Sequence, residues 1–93
     1  MPEKILTLHP QGKQGVNIDK VKYDATRSAI VESLSEQGEM TFGELNDVVG
    51  NKLEGSFDGS IGWYYTTVKL DLEARGVIER VPGSRPQRLR LKS

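Results

Sequence analysis

Apolar positions change their period twice between Ser60 and Leu91. Ile61, Tyr65, Val68 and Leu72 recur at spacings of four, three and four, the stripe of a helix with one buried face. Gly76 then ends the helical run as a left-handed cap. Val77 to Val81 alternates as a strand, with valine expected inward and charge outward. Pro82-Gly83-Ser84-Arg85-Pro86 reads as a turn. Gln87 to Lys92 alternates again, with Leu89 and Leu91 on one face and Arg88, Arg90 and Lys92 on the other. The pattern predicts a helix that feeds straight into a β-hairpin.

Two further helical patterns lie upstream. The first starts at Asp19, a good N-cap, and runs to Gln37, with Tyr23, Ile30 and Leu34 on one stripe, Val31 beside it and Gly38 as its stop. The second opens on Thr41-Phe42-Gly43-Glu44, a capping box, and turns Leu45, Val48, Val49 and Leu53 inward. Residues 54–60 join it to the third helix, for which Asp58 or Ser60 is the expected cap. That connection is longer than the three or four residues of a tight helix-turn-helix. Lys4 to Leu8 has the character of a short strand, and the HPQGKQG stretch after it reads as a loop. Gly12-Lys13 is not a phosphate-binding loop, because the earlier glycine and the following Ser or Thr are missing. Residues 1–18 are therefore expected to form an N-terminal arm and residues 19–93 the domain proper.

Leu72-Glu73-Ala74-Arg75-Gly76-Val77-Ile78-Glu79-Arg80 resembles the helix-to-wing junction of winged helix-turn-helix regulators. In that junction the leucine packs the helix, the glycine takes the left-handed cap and the aliphatics begin the wing. Met40-Thr41-Phe42-Gly43-Glu44-Leu45 resembles the strand-to-second-helix corner of the same fold. Gly62-Trp63 and Thr67 to Ile78 are also similar to a family of small, single-domain bacterial proteins of uncharacterised function. The resemblance implies an α+β winged helix-turn-helix, three helices with a C-terminal hairpin wing and an N-terminal arm or short strand. It also implies DNA binding in transcriptional regulation, with the third helix entering the major groove and the wing touching phosphate or the minor groove. A winged-helix module that binds only protein is the alternative.

Composition narrows this picture. Ninety-three residues support one modest core and leave little room for a long cleft between domains. There is no cysteine, which excludes disulfide and thiolate chemistry. No apolar run is long enough for a signal peptide or a membrane span, so no membrane partner is expected and cytoplasmic is the default location. The chain is neutral overall, but residues 1–67 carry a net −4 and residues 68–93 a net +4. One end therefore offers a positive edge.

Candidate contacts follow from the helical phase. With the stripe of the third helix toward the core, Trp63, Thr66, Thr67, Leu70, Glu73 and Ala74 point away, and Lys69 and Asp71 lie on the flanks. Thr66 and Thr67 can meet phosphates, base edges or thymine methyls, with Lys69 beside them. The first two turns carry no outward arginine or lysine. On the wing, Arg85, Arg88 and Arg90 are the better phosphate ligands, or else solubilising charges on an edge strand. Trp63 and Leu70 are large apolar groups on the face opposite the core. They are expected to be covered, either by Ile5, Leu6 or Leu8 of the arm or by a homodimer or other protein partner. Catalysis has little to work with, and no enzyme is expected. His9 is the sole histidine, no cluster has metal-ligand spacing, and neither metal nor cofactor is expected. Asp19 with Asp24, and Asp71 with Glu73, read as capping or as solvated helix faces.

Overall fold

Each helix starts at a side chain that satisfies its own free N–H groups. The Asp19 carboxylate accepts from the Val21 N–H at 3.0 Å and opens α1, Lys20–Gln37. Thr41 and Glu44 form the reciprocal capping box of α2, Phe42–Leu53. The Glu44 N–H donates to the threonine hydroxyl at 3.1 Å, and the Thr41 N–H donates to the Glu44 carboxylate at 2.9 Å. Ser60 caps α3, Ile61–Ala74, by accepting from the Trp63 N–H at 3.2 Å. The computed structural model describes residues 3–12, 15–55, 60–83 and 85–92; Asp58, the other candidate cap, and Ser84 of the expected turn lie outside them.

Among the described residues, five short strands complete an α+β architecture: β1 (Lys4–Leu6), β2 (Asn17–Asp19), β3 (Glu39–Thr41), β4 (Ile78–Arg80) and β5 (Arg88–Leu91). β1 and β2 form a two-stranded antiparallel sheet, with Ile5 opposite Ile18. The other three form an antiparallel sheet in the order β3-β5-β4. The core lies where the helices meet the inner face of this second sheet. Tyr23, Ile30 and Leu34 of α1, Leu45 and Val49 of α2, and Tyr65, Val68 and Leu72 of α3 close on Met40, Ile78 and Leu89. The Tyr65 hydroxyl reaches the Phe42 carbonyl at 2.8 Å, so the large ring is buried without leaving its polar tip unpaired.

Three expectations about strands are corrected. Segment 1–18 is more than a short strand and a loop. Its second half returns as β2, and the first sheet packs against α1 through Ile18 and Ile5. Next to the sheet the Thr7 N–H donates to the Val16 carbonyl at 2.9 Å, and the Thr7 hydroxyl bonds both polar groups of Val16. A Cβ on Gly15 would lie 1.7 Å from the Thr7 carbonyl oxygen, so this close approach admits only glycine. The phase of β4 is also reversed. Ile78 is the buried residue, whereas Val77 and Val81 are half-buried, because the register places Ile78 and Arg80 on the face of Leu91 and Leu89. Lastly, β5 is central, paired with β3 on one side and β4 on the other.

The capping box gives a direct test of the second helix. Thr41→Ala is expected to cost about 1 kcal/mol, Glu44→Ala less, and the double variant less than the sum, since the two side chains act as one motif. Urea denaturation of the four proteins measures this; strictly additive losses would contradict the box. The Thr41 backbone N–H first, and then the Thr41 side chain, hold the Glu44 carboxyl below the usual glutamate range, and Arg88 assists by its charge. A depressed carboxyl stabilises the fold above its unfolded value, so this contribution is lost as pH falls through the lowered one.

Candidate functional site

The third helix is flanked by two charged pairs at i, i+4 spacing; the side chains of Lys69, Glu73 and Asp71 are drawn into the protein, and Arg75 stays partly exposed. Lys69 is 3 % exposed. Its ammonium lies 2.7 Å from the Glu73 carboxylate and over the ring of Phe42. Glu73 also accepts from Arg80 Nε at 3.2 Å, which ties α3 to β4. Burial pushes the Lys69 ammonium below its usual range, while Glu73 pulls the other way. Lys69 is thus not an open flank residue able to meet phosphate. Its position, next to the apolar stripe, is covered by α2 and the second sheet.

The other flank is built on Asp71, which is fully buried. The Leu8 N–H donates to this carboxylate at 2.8 Å, the Tyr23 hydroxyl donates to its second oxygen, and Arg75 Nε donates to both oxygens at 2.9 Å. Arg75 reaches on to the Leu6 carbonyl at 3.4 Å. One carboxylate therefore joins the N-terminal hairpin, α1 and α3. Reading Asp71 and Glu73 as a solvated face is corrected on the same ground: segments on either side of α3 cover both flanks. Burial first, and then the bond to Asp71, pushes the Tyr23 phenol up to about 12.

Between these flanks runs the outward side of α3. The hairpin lies along its C-terminal half, so Leu70 and Thr67 are half-buried. Together with Thr7, Leu8, His9, Gly15, Val16 and Trp63 they line a crevice of about 160 Å³. Among the described residues its lining contains no Asp, Glu, Lys or Arg. The cover expected from the arm is thus partly there: Leu8 lines the crevice, Ile5 turns to the core and Leu6 points outward. It does not reach far enough to bury the tryptophan. Trp63 remains 47 % exposed, edge-on to Tyr64, beside Leu8 at 43 % and Val16 at 41 %. Thr66 is exposed, and its hydroxyl donates back to the Gly62 carbonyl at 3.0 Å. His9 Nδ1 accepts the Gln11 N–H at 3.1 Å, a bond internal to the loop.

The basic strand is also less positive than its sequence implies. Arg90 stands between Glu39 on β3 and Glu79 on β4 in the register, and its Nε lies 2.6 Å from the Glu79 carboxylate. Opposite charges placed across strands stabilise a sheet, and they also cancel its field. Arg88 is exposed on the same strand near Glu44, and Arg85 is exposed in the turn. The structure therefore brings Trp63, Leu70 and Thr67 together on one face with the hairpin. Arg85, Arg88 and Arg90 belong to a separate region, the second sheet and its turn.

Sequence reasoning missed the hairpin half of this face. Its signal was present: Val16-Asn17-Ile18 alternates, and Gly12 and Gly15 precede it, as in the second strand of a hairpin. Among the described residues no group of three or more His, Cys, Asp or Glu could hold a metal ion, and no helix is long and apolar enough to cross a membrane. Residues 4–89 match the model of a family of unknown function, DUF6958. No curated protein and no solved structure matches the chain.

Proposed function

We propose, for a chain that belongs to DUF6958, a family of unknown function, a protein-interaction module on a winged-helix frame. The element order α1-β3-α2-α3-β4-β5 and the sheet order β3-β5-β4 support that frame, with α3 in the place of the recognition helix and β4–β5 as the wing. One observation carries the functional reading. The side of α3 that a DNA reader needs open is partly roofed by the hairpin, and what remains among the described residues is an apolar surface of Trp63, Leu8 and Val16. Contiguous apolar surface of this kind marks protein contact sites, in which tryptophan is enriched. Phosphate binding needs cations that are not already paired. Here Lys69 is buried against Glu73, and Arg90 is held by Glu79.

DNA binding in transcriptional regulation is the competing proposal. It rests on the exposed Arg85 and Arg88 of the wing, with Thr66 on α3. A titration against mixed duplex DNA at two salt concentrations separates the two. The interaction module predicts no binding at low salt, and no difference when Arg88→Ala and Arg90→Ala are combined. Salt-dependent binding whose slope falls by about 2 in the double variant would overturn it in favour of the wing.

A further inference from the structure

We draw no further inference here: the strongest candidate, the groove between the end of α1, β3 and the start of α2, rimmed by Glu39, Glu44 and Asp47 beside Met40 and Val48, is a cluster of acidic side chains with nothing in the structure to show what covers it.

Discussion

Asp71→Ala is expected to destabilise the protein by about 3–5 kcal/mol, the range for breaking a buried charged network from one side. The carboxylate is fully buried, and its partners come from three segments of the chain. Removing it leaves the Tyr23 hydroxyl and the Leu8 N–H without their acceptor, and each such loss costs about 1–3 kcal/mol when the group stays buried. Arg75 is about one-third exposed and recovers part of its hydration, which keeps the total from rising further. Asp71→Asn keeps the shape and one acceptor, so it should cost less. Urea denaturation gives the size, and hydrogen exchange gives the place: the Leu8 amide should lose protection before the amides of the helices. Alkaline titration supplies a third readout. The folded-state value of Tyr23 is raised to about 12, so its contribution is complete below the ordinary tyrosine range and lost as pH rises through about 12. Burial remains in the alanine variant, so Tyr23 should move only part of the way back. A midpoint within error of the parent protein would mean that the network does not anchor the hairpin.

Leu72→Ala is expected to cost roughly 2–5 kcal/mol. Leu72 is fully buried on α3 and belongs to the same core as Ile78 and Leu89, at the point where the helix turns into the second sheet. Its carbonyl accepts the Val77 N–H at 2.9 Å, just past Gly76, whose φ of 76° makes the turn. Shortening this side chain leaves a cavity between elements that the glycine cap holds in place, so little collapse can fill it. A domain of this length has a margin of about 5–10 kcal/mol, and the variant should show a large drop in melting temperature. A midpoint like that of the parent would show that Leu72 does not face the core.

The helices were legible because their signals are local. Asp19, the Thr41–Glu44 box and Ser60 cap residues two or three positions away, and Gly38 and Gly76 take the positive φ that stops α1 and α3. The stripe Tyr65, Val68 and Leu72 is buried as its spacing predicts, with Ile61 packed at its edge. Strand pairing was less legible. Alternation shows that Gln87 to Lys92 is extended, but not that β5 lies between two strands, one of them contributed by Glu39–Thr41 almost fifty residues earlier.

The face of α3 divides along the same line. From the sequence alone, Trp63 and Leu70 could be placed opposite the core, and this they are, with Leu70 under the hairpin and Trp63 half in water. The fate of the flank charges could not be read that way. A helical wheel gives the direction of a side chain, whereas burial depends on what packs there. Asp71 is buried by Tyr23, 48 residues before it, and by Leu8, 63 residues before it. Lys69 is buried under Phe42, and Arg90 is paired with Glu79 on a neighbouring strand. Caps, periods and glycine stops act within a few residues, so the chain itself determines its three helices and the phase of α3. Which charges remain open to a partner is set by contacts between distant segments, and only the tertiary structure decides it.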